Sequence, residues 1–342
     1  MKGPAVTLRR RTLLATGAAL PAILARPARA EARAVRLSHG YGVLYLPLIV
    51  MRERKLLESQ AERAGLGPLE VSWRTIDGGN VINDAMLAGA LDIAGTGAPG
   101  FITLWSRARG IARSEVVGVS GMSSIALVLN VNRPHLQTLA DFTPNDKIAL
   151  PGIKTSLAAV VLQMLAAQKF GQANYAKLDP LTVGLSHPDA YTALVGGKTE
   201  IAAHFASPPY SVRELQQPGI RTVAAGSEVL GDATLDVVYA TKQFTAANPR
   251  IMTAFLAAQD EANAFIAANK PEAAAIMNRV APSGLPEADL VRVLEDADTR
   301  FSTAPHGVMK FAEFMGAVGS LKAKPATWQD LFIPELHSRA GS

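Results

Sequence analysis

Two fifteen-residue segments repeat one pattern, AMLAGALDIAGTGAP (85–99) and ALVGGKTEIAAHFAS (193–207), and this repeat constrains the fold more than any other feature of the chain. In register, Gly89 falls on Gly197, Asp92 on Glu200, Ile93 on Ile201, Ala94 on Ala202 and Thr96 on His204. Each copy reads as a helix end, a glycine stop, one acid and a short apolar strand. The surroundings repeat as well. Strand-like AVRLSH (34–39), LEVSWRTI (69–76) and LDIAGTG (91–97) alternate with helical LYLPLIVMRERKLLE and GGNVINDAMLAG. Further on, KIALPG (147–152), LTVGLS (181–186) and TEIAAHF (199–205) alternate with TSLAAVVLQMLAAQKFG and HPDAYTALVGG. Strands alternating with helices make βαβ units and mostly parallel sheets, and two such series predict two similar α/β lobes. SSIALVLNVN (123–132) reads as a connecting strand and TLDVVYATKQF (234–244) as a returning one. The expected boundaries are 31–124 with 236–342 for the first lobe and 125–235 for the second. From Asn248 the pattern is helical, punctuated by Pro249, Pro271, Pro286 and Pro305, and predicts a C-terminal cover on the first lobe. Trp328 and Phe332 are expected to pin its tail.

Residues 1–30 set the compartment. Arg9, Arg10 and Arg11 precede the apolar run LLATGAALPAILA, and the small-x-small triplet Ala28-Arg29-Ala30 follows. This is the form of an export signal cleaved before Glu31, and its apolar run falls short of the about 20 residues a membrane span needs. Arg10-Arg11-Thr12-Leu13-Leu14 resembles a twin-arginine signal; a general secretory signal with an arginine-rich start is the alternative. The segment carries six of the 34 basic residues and no acid, so the remainder has 28 basic against 29 acidic residues. The formal charge of +5 therefore belongs to the leader, and a nucleic-acid-binding role loses its support. With no cysteine, disulfides, thiolate metal sites and cysteine nucleophiles are excluded. A soluble periplasmic monomer without cofactor is expected.

No nucleophile elbow, zinc-protease helix or dinucleotide fingerprint occurs, so the sequence supports no enzymatic role. In SHPD, Ser186 and Asp189 have capping-box spacing, which makes them architecture and leaves His187 an exposed first-turn residue. Asp92 and Glu200 read as solvated or capping acids. His204 and Thr96 end equivalent strands, where open α/β sheets place ligands, and His39 ends the first strand. For His204 the readings are ligand contact, core histidine or metal ligand; no spaced second ligand accompanies it or His39. Lys154, Thr155 and Ser156 open a long helix whose free N–H groups and dipole suit an anion, although Ser156 also suits a plain N-cap. The loop GTGAPG (95–100) lets backbone approach a ligand, and Tyr41 and Tyr45 could wall a pocket or pack between lobes.

These segments, with VRLSHGYGVLYLP near the start and KPATWQDLFIPELH near the end, resemble the solute-binding proteins of ABC importers of the nitrate, sulfonate and taurine type. The resemblance implies a type II periplasmic binding protein, with two α/β lobes, an inter-lobe ligand cleft and a helical C-terminal cover. It implies cleft residues Tyr41, Gly42, Tyr45, Asn80, Thr96, Gly97, Ala98, Ser123, Lys154, Thr155, Ser156, His204 and Ser207. It also implies capture of a small organic anion, with Lys154 the main cation, and delivery to a permease and ATPase in the inner membrane. An exported metal- or cofactor-binding enzyme and a periplasmic sensor subunit are the competing readings.

Overall fold

The computed structural model describes residues 31–342 together with Met1 and Gly3; the expected export signal lies outside the described residues. The strands are β1 (Ala34–His39), β2 (Glu70–Thr75), β3 (Ile93–Gly97), β4 (Val116–Ser124), β5 (Val128–Val131), β6 (Lys147–Leu150), β7 (Thr182–Gly184), β8 (Ile201–Ala206), β9 (Arg221–Ala225), β10 (Asp236–Thr241) and β11 (Arg300–Phe301). They form two sheets, in the orders β11-β4-β10-β3-β1-β2 and β7-β6-β8-β5-β9. Apart from the short edge strand β11, the second order repeats the first from its other end. In each sheet a central strand, β1 or β6, pairs in parallel with two neighbours, and an antiparallel strand, β10 or β5, follows. The repeat seen in the sequence is therefore a repeat of sheet topology. Gly89 and Gly197 both take left-handed conformations, φ 68° and 64°, that only glycine adopts cheaply at a helix end.

The helices are α1 (Leu46–Glu53), α2 (Leu56–Arg63), α3 (Gly79–Leu87), α4 (Ala98–Ala108), α5 (Leu157–Phe170), α6 (His187–Gly196), α7 (Tyr210–Leu215), α8 (Ser227–Leu230), α9 (Lys242–Ala247), α10 (Pro249–Ala268), α11 (Lys270–Val280), α12 (Glu287–Glu295) and α13 (Met309–Ala317). Helix α5 is buried along all of its first ten residues, which follows from its run of Ala, Val and Leu with no polar face. Helix α10 turns Ile251, Met252, Phe255 and Leu256 inward and packs on α1 and α2, so the C-terminal helices cover the first sheet's side as expected. Phe332 lies against Gly118, where any side chain would strike its ring, and its own ring meets Phe101 at 5.8 Å and Trp328 at 6.2 Å.

Three elements differ from the sequence reading. The segment GTGAPG is no loop: β3 runs straight into α4, with Pro99 in the first helical turn, where its missing N–H costs nothing. Strand β4 begins at Val116, seven residues before the connecting strand read from the sequence, and β9 was not anticipated. Two glycines in β4 lower its apparent strand propensity, yet Gly118 is required by Phe332 and Gly121 by the Ala304 carbonyl, 2.8 Å from where its Cβ would stand.

Candidate functional site

The carboxyl ends of the parallel strands of both sheets meet at one small cavity of about 40 Å³. From the first sheet come Tyr41 and Tyr45 after β1, Asp77 after β2 and Thr96 in β3. From the second come Pro151 after β6, His187 after β7 and Ser207 after β8. Asp236 reaches the same place from the opposite direction. It opens β10, which runs antiparallel to β3, and its register partner is Gly97 at the end of that strand.

The two sides touch closely. Val43 N donates to Pro208 O at 3.0 Å, and the Thr155 hydroxyl donates to Asn80 Oδ1 at 2.5 Å. A Cβ on Gly97 would lie 2.7 Å from that of Leu157, and one on Gly78 would lie 2.6 Å from Pro151 O, so these glycines let the surfaces meet. Asn83 fixes the nearby helix starts: its amide donates to Gly100 O at 3.0 Å and its carbonyl accepts from the Tyr239 hydroxyl at 2.9 Å.

Asp77 bridges the junction. Its carboxylate accepts from Gly78 N at 3.0 Å and from His187 N, at the start of α6, at 3.2 Å. A carboxylate at a helix start complements the dipole. Burial nevertheless raises the Asp77 pKa, the two N–H bonds offsetting part of the rise. Asp236 is more extreme. It is 1% exposed, its Oδ2 has no partner among the described residues, and burial pushes its pKa up to about 7, hydrogen bonding from Tyr45 offsetting part of the rise.

Behind the cavity wall runs a chain of three side chains. Glu214 Oε1 lies 2.5 Å from His204 Nδ1, and His204 Nε2 lies 2.9 Å from His187 Nδ1. Asn130 donates to the other Glu214 oxygen at 2.9 Å, and the Tyr210 ring stacks on His187 at 5.5 Å. Glu214 and His204 are wholly buried, where a net charge is costly. One ring donates and the other accepts across the His204 Nε2–His187 Nδ1 contact, and where His204 is the donor His187 keeps its own proton at Nε2, on the residue that lines the cavity. Burial holds the His187 pKa well below the usual range, with His204 adding to the effect.

Of the residues expected from the sequence, Tyr41, Tyr45, Thr96, Gly97, Ser156 and Ser207 line this cavity. The Ser156 hydroxyl accepts from Ala159 N at 3.2 Å, as an N-cap does, and also bonds Gly152 O. The others lie elsewhere. His204 does not reach the cavity but stands one side chain behind it, and His187, expected to be exposed, is 8% exposed and takes the front position. Lys154, the expected cation, is exposed with φ 68° and borders a separate groove with Asn80 and Thr155. Gly42 faces Pro208 at the junction, and Ala98 is buried with its N–H on Leu235 O at 2.8 Å. Ser123 lines a different cavity, against α10 and α12. The sequence reading missed Asp77, His187 and Asp236. Asp77 had a signal, as an acid directly after a strand and before two glycines.

The remaining candidates are architectural or unassigned. Ser186 caps α6 and donates to Asp189 at 2.6 Å, and Asp92 pairs with Arg36 at 2.7 Å. His39 is buried on the first sheet, its Nδ1 2.9 Å from Gly40 O, away from His204 on the second. Among the described residues, no group of three or more His, Cys, Asp or Glu side chains is placed to hold a metal ion.

No family model and no curated protein matches the sequence. Solved structures do. The alkanesulfonate-binding protein SsuA from Xanthomonas axonopodis pv. citri, bound to MOPS, superposes with a TM-score of 0.68 at 21% identity, over 85% of this chain and 95% of that one. The periplasmic aliphatic sulphonate binding protein SsuA from Escherichia coli gives 0.65 at 21% identity, over 89% and 93%. The periplasmic nitrate-binding protein NrtA from Synechocystis PCC 6803 gives 0.69 at 14% identity, over 88% and 84%. The chain has the two-lobed α/β fold of these periplasmic binding proteins, the fold that the sequence resemblance implied.

Proposed function

We propose that the protein is the solute-binding component of an ABC importer, a binder and not an enzyme, which captures a small polar solute by closing its two lobes and presents the closed form to a permease and its ATPase. The observation that carries this reading is the cavity walled jointly by residues of both sheets, with two carboxyls in its lining. A solute held there contacts both lobes only when they are closed, so its binding energy favours closure. Export through residues 1–30 by the twin-arginine route, and action as a periplasmic monomer, belong to the same reading. Thermal-shift screening of residues 31–342 against sulfonates, carboxylates, nitrate and nitrogen heterocycles tests it. A solute bound only by the folded state at about 100 times its Kd adds about 2.7 kcal/mol and raises Tm. A flat response to every small solute would contradict the proposal.

Closure itself can be blocked. Gly97→Val puts side-chain atoms into Leu157, an overpacking cost of about 1–3 kcal/mol that the open form avoids. Affinity for any solute found by the screen is expected to fall about 10- to 100-fold, measured by titration calorimetry, with the unliganded Tm changing much less. Unchanged affinity would mean that the lobes do not meet at Gly97 when solute binds.

A further inference from the structure

Resting on the capture reading above, we propose that the solute presents a protonated nitrogen bearing N–H groups to Asp236. The cavity is lined by two carboxylates, Asp236 and Asp77, and by no Lys or Arg among the described residues. The two acids are not equivalent. Asp77 already accepts two backbone N–H groups, whereas Asp236 Oδ2 has no donor. A carboxylate taken out of water without a counter-charge is strongly disfavoured, and burial is relieved either by a proton or by a cation. The residues around Asp236 supply no cation. Tyr45 and Tyr41 are phenols, Asp77 is a second acid, and the buried His187 is held neutral. The unliganded protein relieves this burial with a proton, and a positively charged donor on the solute, such as a primary ammonium, an amidinium or a protonated heterocycle, would take that proton's place. A quaternary ammonium brings charge but no N–H and leaves Oδ2 unsatisfied. The rest of the solute meets a different surface: the amides opening α5, on the side of the cavity that His187 also lines, suit an acceptor.

The test uses pairs of solutes that differ in the nitrogen: taurine against ethanesulfonate, β-alanine against propionate, and benzylamine against benzyl alcohol. Titration calorimetry is run on wild type and on Asp236→Asn, which keeps the side chain's shape. In at least one pair the nitrogen-bearing member is expected to bind about tenfold tighter or more, and Asp236→Asn removes that preference. Asp77→Asn, as a second variant, is expected to reduce the preference without removing it. Equal binding of the two members in every pair that binds overturns this inference and leaves the capture role standing. Failure of all six solutes also overturns it, and the wider screen above then decides the capture role separately. A preference that survives in Asp236→Asn places the nitrogen elsewhere and overturns the assignment to this residue.

Discussion

Asp236→Asn is expected to stabilise the unliganded protein at pH 8, with the gain disappearing below pH 4. The sign follows from linkage. The folded-state pKa of Asp236 is raised to about 7 from 3.8, so between these values the folded state holds a proton that the unfolded state has released. Its contribution to stability is complete below 3.8, is lost as pH rises toward about 7, and is flat above. The shift corresponds to about 4 kcal/mol at pH 8, and an isosteric amide avoids that cost. Chemical denaturation of both proteins from pH 4 to 8 measures it. Asp77 is also raised by burial, so a parallel Asp77→Asn series separates the two carboxyls, which line one cavity together with Tyr45 and Tyr41. Equal stability of wild type and Asp236→Asn at pH 8 would mean that the carboxylate finds a partner in solution, and the argument for a cationic solute would lose its basis.

The second large effect lies behind the cavity. Glu214→Leu removes the acceptor for His204 and for the Asn130 amide, in a place with no exposure to water. Breaking a buried charged pair from one side is expected to cost about 3–5 kcal/mol. The double variant Glu214→Leu with His204→Leu, which removes both polar partners, is expected to recover part of that loss. The double-mutant cycle then gives a coupling energy for the pair. Additive losses would contradict energetic coupling between Glu214 and His204. Solute affinity should fall in the single variant as well, because His187 loses the neighbour that fixes its ring and tautomer.

The architecture was legible because it repeats. The glycine stops Gly89 and Gly197, the single acid after each and the apolar strand that follows are local signals, and two copies of a local signal predict one topology used twice. The position of Phe332 was legible for another reason, since a large aromatic in a polar tail has few places to go. The site was only half legible. Reasoning from the ends of parallel strands reaches residues that line this candidate cavity, Tyr45, Thr96 and Ser207, but not Asp236, which arrives on an antiparallel strand whose pairing with β3 spans 139 positions from Gly97 to Asp236. Burial of His187 depends on Tyr210 stacking over it and on Asp77 from the other lobe, contacts with no trace in the sequence around SHPD. Lys154 was misplaced because its left-handed backbone turns the loop so that the side chain faces solvent. The residues missed are ionisable ones, two acids and a neutral histidine, where the sequence reading expects the cation Lys154.

Capture by closure is tested most directly by an inter-lobe distance. The chain has no cysteine, so spin labels can be placed cleanly at Leu87→Cys on α3 and Ile153→Cys before α5, both exposed and on opposite sides of the junction. Pulsed electron resonance with and without a solute that raises Tm is expected to show a longer, broader distance distribution in its absence and a single shorter one at saturation. A distribution unchanged by saturating solute would contradict lobe closure and the importer role built on it.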